Sequence, residues 1–354
     1  MSILALSLFL LAASADEAPT NLAHARVQTH SASSGLQAAF RPLAREAGPA
    51  WIGYAVPVMG RHQTCCYRST DEIGAATPGC NVENEGAYTI HGAGDARSWD
   101  QAPDFLVLFR VENGHVDRIR SLSRGCGLDV GGLPFHWITG VRAAESLELL
   151  ESMVGTGVGT SKKKDKGGMD EPAIAAIAMH ADPGADALLE RLIGARQPIG
   201  VRKQAAFWMG NSRGRRGYET LRRLAAEGSP ALREHVVFAL GQSDVPEAVD
   251  TMIEIGRRDE DPGVRGQALF WLGQKAGKKA AAAITRAIEE DPETAVKKKA
   301  VFALSQFPKD EGVPLLIDLA RKNPNPAVRK QAMFWLGQSG DPRALAFFAE
   351  ILNR

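Results

Sequence analysis

Five near-copies of one ten-residue segment dominate the C-terminal half of this 354-residue chain. Val201-Arg-Lys-Gln-Ala-Ala-Phe-Trp-Met-Gly210 returns as Leu232-Arg-Glu-His-Val-Val-Phe-Ala-Leu-Gly241 and as Val264-Arg-Gly-Gln-Ala-Leu-Phe-Trp-Leu-Gly273. Val296-Lys-Lys-Lys-Ala-Val-Phe-Ala-Leu-Ser305 and Val328-Arg-Lys-Gln-Ala-Met-Phe-Trp-Leu-Gly337 complete the set. The starts lie 31, 32, 32 and 32 residues apart. A fixed period of this kind means stacked supersecondary units, because no unit can bury its apolar stripe alone.

Each unit has room for two helices. The repeated segment predicts one of them, entered at Ser229-Pro230, Asp261-Pro262, Asp291-Pro292 and Asn325-Pro326. There a capping side chain precedes a proline in the first turn. Glycine in the tenth place of four copies suits the helix exit. The other helix carries Leu188, Leu189 and Leu192, then Leu221 and Leu224, then Val249, Met252 and Ile253. Ile284 and Ile288, Leu315, Leu316 and Leu319, and Leu345, Phe348 and Leu352 follow in turn. Residues 171–180 read as a divergent copy, with Ala173 and Ile177 in the fifth and ninth places; that copy and the final helix would cap the array.

The shared motif is Asp/Asn-Pro-x-(x)-Val-Arg-x-x-Ala-x-x-x-Leu-Gly. It resembles the short HEAT repeats named after phycobilisome lyase subunits, over about half of the chain. The period is below the ~40–47 residues of most HEAT repeats, as that subgroup implies. The resemblance implies an α-solenoid whose repeated helix lines the concave surface, and no catalytic residues. It does not imply bilin lyase activity. Arg202, Arg233, Arg265, Lys297 and Arg329 occupy the second place, and the resemblance makes them a ladder bonding the loops of neighbouring units.

On a helical wheel, places one, five, six, eight and nine form one buried arc, and places three, four and eleven lie opposite and are polar. Place seven falls inside that polar stripe, yet it is Phe in every copy: Phe207, Phe238, Phe270, Phe302 and Phe334. One reading is a row of rings that docks a partner, rimmed by the place-eleven glutamines Gln242, Gln274, Gln306 and Gln338. The other is packing of each ring on its neighbour. Place eight alternates Trp208, Ala239, Trp271, Ala303, Trp335, which suits interdigitation of large and small side chains between units.

The N-terminal half has no repeat. Residues 3–13 are apolar and precede Ala13-Ser14-Ala15, which predicts a signal peptide over residues 1–15, although no Lys or Arg comes before the run. No Cys follows it to carry a lipid. Residues 16–34 read as a mobile lead and 36–46 as a short helix. Trp51–Val58 has strand composition interrupted by Gly53. Phe105–Val111 and Val116–Leu122 flank Asn113-Gly114, a strong hairpin signal, with the second strand at an edge. Leu133–Val141 is a further strand and Ala143–Val154 a helix. Together residues 16–154 predict a small α+β domain with an antiparallel sheet. A Gly- and Lys-rich linker over 155–169 leads to the solenoid, 170–354.

All four cysteines, Cys65, Cys66, Cys80 and Cys126, lie in this N-terminal half. In an exported protein an even, clustered set predicts two disulfides. A bond between neighbours Cys65 and Cys66 would close a strained ring, so one of them pairs with Cys80 and the other with Cys126. A zinc site drawing on His62 is the competing reading, unsupported by any Cys-x-x-Cys pair. Cys126, Asp129 and His136 suggest a thiol hydrolase only if Cys126 is free.

Total charge is nearly balanced, 42 basic residues against 41 acidic. Residues 16–154 carry 11 and 16, net −5, and residues 155–354 carry 31 and 25, net +6. This balance, and the mixture of Glu234, Gly266 and Lys298 at one ladder place, argue against a nucleic-acid partner. The sequence therefore predicts an exported scaffold, periplasmic or secreted. It would bind a protein partner through its solenoid without catalysis, cofactor, metal or membrane insertion. An enzyme with its site in the N-terminal domain, the solenoid recruiting substrate, is the alternative.

Overall fold

Asn113 and Gly114 both adopt positive φ, 52° and 81°, as a two-residue hairpin turn requires. The turn joins strand Asp104–Glu112 to strand His115–Ser123. The computed structural model describes residues 17–60, 64–68, 77–83, 89–90, 103–155, 168–275 and 277–353. The expected signal peptide and His62 lie outside the described residues, as does the linker apart from its ends.

The described chain forms two compact units, within residues 1–205 and 206–354. The first is built on a five-stranded sheet. Its order is Arg26–Ser31, Pro134–Thr139, Ala50–Pro57, Asp104–Glu112, His115–Ser123. The last strand is at an edge, as its mixed faces predict. The sheet is mixed, not antiparallel as expected: Pro134–Thr139 runs parallel to both of its neighbours. The other edge is a second correction. Residues expected to be a mobile lead contain the strand Arg26–Ser31, which is largely exposed. Such a strand needs only backbone hydrogen bonds, so its polar sequence carries no strand signature. Gly53 does not interrupt its strand either. A Cβ there would lie 2.7 Å from Leu108 Cδ2 and 3.1 Å from Phe135 Cζ, so glycine admits the core between them.

Three helices pack with this sheet: Leu36–Ala44, Ala143–Glu151 and Asp170–Met179. The last is tied on by main-chain bonds from Met59 N to Met179 O, 2.7 Å, and from Ala181 N to Pro57 O, 2.9 Å. A buried hydroxyl chain adds to this. His180 Nδ1 lies 2.8 Å from Ala176 O, His180 Nε2 2.9 Å from Ser146 Oγ, and Tyr54 Oη 2.8 Å from Ser146 Oγ. A carbonyl only accepts, so Nδ1 carries the proton and Nε2 accepts from Ser146. Ser146 Oγ in turn accepts from Tyr54, whose phenol burial drives well above its ordinary pKa. Ser146, His180 and Tyr54 are each 0% exposed, so this Ser–His contact fastens the helices to the sheet away from solvent.

The disulfides are Cys65–Cys126 and Cys66–Cys80. Cys80 Sγ lies 3.7 Å from Cys126 Sγ, so the two bonds stack within one apolar cluster with Val82, Leu106, Leu122 and Leu128. The closeness of three cysteine sulfurs is therefore that of two oxidised pairs, which offer no thiolate to a metal. The bonds span 61 and 14 residues, which by loop closure corresponds to about 4 and 3 kcal/mol.

Peptide mapping of unreduced protein should recover Cys65 joined to Cys126 and Cys66 joined to Cys80. Reduction should then lower the melting temperature of the first unit. Four free thiols in native protein, or the exchanged pairing, would contradict this arrangement.

Candidate functional site

The repeated helices are Ile199–Ser212, Pro230–Gln242, Pro262–Lys275, Thr294–Ser305 and Pro326–Gln338. Between and after them run Gly214–Glu227, Glu247–Arg258, Lys278–Glu290, Lys309–Lys322 and Pro342–Leu352. In the second unit, successive repeated helices pack on one another more closely than the alternate set does. Places one, five and nine are buried in all five copies.

Two local expectations are corrected. The place-ten glycines do not end their helices, which continue to Ser212, Gln242, Lys275 and Gln338. They allow close approach instead. A Cβ on Gly210 would lie 2.2 Å from Ala239 O, one on Gly241 3.0 Å from the Trp271 ring, and one on Gly273 2.8 Å from Ala303 O. Place ten of one copy thus meets place eight of the next. Gly337, with no following copy, has nothing within 4 Å. The second correction concerns the caps. Asp261 Oδ1 accepts from Gly263 N and Val264 N, and Asn325 Oδ1 from Ala327 N. Ser229 makes no such bond, and Asp291 lies outside the helix that begins at Thr294.

Asp291 serves the place-two ladder instead. Arg233 holds Asp259 through Nε and Nη2, both at 2.9 Å, and Arg265 holds Asp291 at 2.8 and 3.1 Å. These bidentate bonds raise both guanidinium pKa values. Every ladder member also donates to a carbonyl at the end of the preceding helix: Ile193, Gly228, Asp259, Glu289 and Asn323. A cation there satisfies orphan carbonyls and complements the helix dipole. The loop acids were not foreseen; their signal was an Asp 26 residues beyond each of Arg233 and Arg265.

The place-seven rings follow from the close approach. Phe207 stacks on Phe238 at 5.4 Å and Phe270 on Phe302 at 5.7 Å. These are the junctions where place eight of the later copy is alanine. At the other two a tryptophan enters. Trp271 lies 5.1 Å from both Phe238 and Phe270, and Trp335 lies 4.8 Å from Phe302 and 4.9 Å from Phe334. With Trp208 against Phe207 at 5.2 Å, eight rings form an unbroken ribbon across five copies. Each contact of this geometry adds ~0.5–1.5 kcal/mol beyond its buried area. The ribbon is also incompletely covered: Phe207, Phe238, Phe270 and Phe302 are half-buried and Phe334 is 53% exposed. The buried indole N–H groups of Trp271 and Trp335 find no acceptor among the described residues, a cost of about 1–3 kcal/mol each.

Gln242 is half-buried beside the ribbon, while Gln274, Gln306 and Gln338 are exposed. Gln306, Gln338 and Trp335 line one cavity of about 270 Å³. Trp335 also borders a second, of about 520 Å³, with Ala295, Lys298, Lys299, Phe302 and Gln331. The residues imagined as a thiol hydrolase do not assemble. Cys126 is oxidised, Asp129 bonds Asn81 and pairs with His24, and His136 faces His30 at 3.1 Å and Glu46 at 3.4 Å. Burial holds the His136 pKa below its ordinary value.

The HEAT repeats family matches residues 185–273, 249–318 and 280–354. Residues 185–354 are thus built of HEAT repeats. Among solved structures, one similar to it is the CpcE–CpcF complex of phycocyanin lyase from Nostoc sp. PCC7120. That likeness has 17% identity and a TM-score of 0.35, over 45% of this chain and 98% of that one. Human deoxyhypusine hydroxylase in complex with glycerol is similar at 19% identity and TM-score 0.25, over 58% and 81%. Kap95p bound to RanGDP is similar at 19% and 0.36, over 58% and 31%. No curated protein matches the sequence.

The close approach makes opposite demands on equivalent glycines. Gly210→Ala should lower the melting temperature by several degrees, because the new methyl meets the backbone at Ala239. Gly337→Ala should raise it by about 2–4 °C, since open space leaves only the ~1 kcal/mol gain in helix propensity. Equal effects in thermal melts would contradict the packing described.

Proposed function

We propose that this protein is an exported, non-catalytic scaffold whose repeated-helix face binds a protein partner. The observation that carries the reading is the continuous, half-covered aromatic ribbon. Packing alone explains why the rings touch. It does not explain why they occupy the polar stripe, where any helix-forming polar residue would satisfy the fold. Apolar surface that remains open along a solenoid is the surface such arrays use for recognition. HEAT repeats typically mediate contacts between proteins, which supports the same reading.

Export is supported by the two disulfides, bonds that persist in oxidising compartments. No helix among the described residues is long and apolar enough to cross a membrane. The absence of catalysis is part of the proposal. It is supported by the oxidation of Cys126, the best candidate nucleophile, and by the complete burial of the Ser146–His180 contact.

The test compares Phe270→Ala with Leu272→Ala, a fully buried neighbour on the same helix. Leu272→Ala should cost ~2–5 kcal/mol of stability. Phe270→Ala should cost clearly less than Leu272→Ala, about the ~1–3 kcal/mol of its two ring contacts, yet lose ~2 kcal/mol or more of affinity for the partner captured from envelope extract. A Phe270→Ala protein that melts as early as Leu272→Ala, or captures the partner undiminished, would sink the docking reading.

A further inference from the structure

The ribbon face is not uniform along its length. Places three and four hold Lys203 and Gln204 in the first copy, Glu234 and His235 in the second, and Gly266 and Gln267 in the third. They then hold Lys298 and Lys299, and Lys330 and Gln331. The last two copies therefore concentrate three lysines around Phe302, Trp335 and Phe334, with no carboxylate at either place. Lys298, Lys299 and Lys330 are all exposed, and none forms an ion pair with a described residue. Elsewhere in the same unit some exposed cations do find carboxylates: Arg215 with Glu247, Lys279 with Asp250, Lys322 with Asp318 and Arg321 with Glu350.

One lysine of this set is positioned by the copy before it. Gly266 stands where three other copies carry lysine and one glutamate. A Cβ on Gly266 would meet Lys299 Cδ at 2.4 Å and Nζ at 3.1 Å. The stem of Lys299 lies across that bare stretch of helix and covers it, so Gly266 is buried. The glycine thus makes room for a lysine of the next unit. Lys298 and Lys299 then stand at the wall of the ~520 Å³ cavity that Phe302 and Trp335 also line. Its charged lining is entirely positive and its aromatic lining is open.

We propose that this end of the face binds an acidic peptide segment of the partner, one that sets an apolar or aromatic side chain among carboxylates. The inference rests on the reading of the ribbon as a docking surface and adds the chemistry of the occupant. A carboxylate beside each ammonium supplies the counter-charge that no described residue provides, and the apolar side chain enters the cavity against Phe302 and Trp335. Nucleic acid is the weaker match. A polyanion needs a long basic track, and this one is confined to the last two copies, with Glu234, His235, Gly266 and Gln267 separating it from Lys203.

The test uses the full chain and surface-immobilised short peptides in which Asp and Glu alternate with Phe, Tyr, Leu, Val or Pro. Asn/Gln twins of each peptide and a single-stranded oligothymidylate serve as competitors. Acidic peptides should bind, weaken as salt rises, and outcompete both their twins and the oligothymidylate. In Lys298→Gln/Lys299→Gln the Kd should rise about tenfold, from the loss of two exposed charge contacts. Gly266→Lys should weaken binding as well, by displacing Lys299, with folding of both variants verified by their melts. Equal binding of the neutral twins, an unchanged Kd in the double variant, preference for the oligothymidylate, or no binding of any acidic peptide would each overturn the proposal. The ribbon reading answers separately to Phe270→Ala against Leu272→Ala, which involves no charge, so the two fail independently.

Discussion

Contact between place ten of one copy and place eight of the next sets the spacing on which the second unit depends. Where both residues are small, as at Gly210–Ala239 and Gly273–Ala303, one helix approaches the backbone of the other. Where place eight is Trp271, the glycine of the previous copy accepts the ring instead. Helices this close bring place-seven rings within stacking distance, and the alternation of alanine and tryptophan decides whether they stack directly or through an indole. The ribbon is thus a consequence of backbone spacing, and the spacing is a consequence of glycine. A surface so fixed has few side-chain rotamers left to lose on association.

The ladder at place two works at the loops. Each basic side chain closes the carbonyl end of the preceding helix, and Arg233 and Arg265 extend the bond to an acid in the following loop. Nearest-neighbour bonds of this kind make the array's stability a sum over junctions. The first unit is held differently, by a mixed sheet, a buried hydroxyl–imidazole chain and two stacked disulfides. The four cysteines, Tyr54, Ser146 and His180 are all engaged in those fastenings.

Much of this was legible in the sequence because it rests on repetition and on local rules. The period, the Phe at place seven, the Trp/Ala alternation and the Asn113-Gly114 turn each state their own geometry. The cysteine pairings followed up to one choice, which of Cys65 and Cys66 reaches Cys80, and only the fold could make it. Other features were hidden for physical reasons. Arg26–Ser31 pairs by backbone alone, so its polar side chains said nothing. Place-ten glycine has two explanations, helix exit and close approach, which differ only in what lies beside it. Asp291-Pro292 looks like a cap, but Pro292 and Glu293 separate Asp291 from the helix, and its carboxylate goes to Arg265. Gly266 was an unexplained gap in a row of charges until Lys299 was seen to lie across it.

The central claim is that place ten is small because place eight of the next copy occupies its side-chain space, and Gly241 with Trp271 offers a direct test. Alanine already fills place eight at Ala239 and Ala303, so Trp271→Ala is compatible with the array. In a double-mutant cycle read by denaturant unfolding, Gly241→Ala should destabilise the protein when Trp271 is present. It should become neutral or stabilising in the Trp271→Ala background, where only helix propensity remains. The account predicts a coupling of about 1 kcal/mol or more; an equal cost of Gly241→Ala in both backgrounds would contradict it.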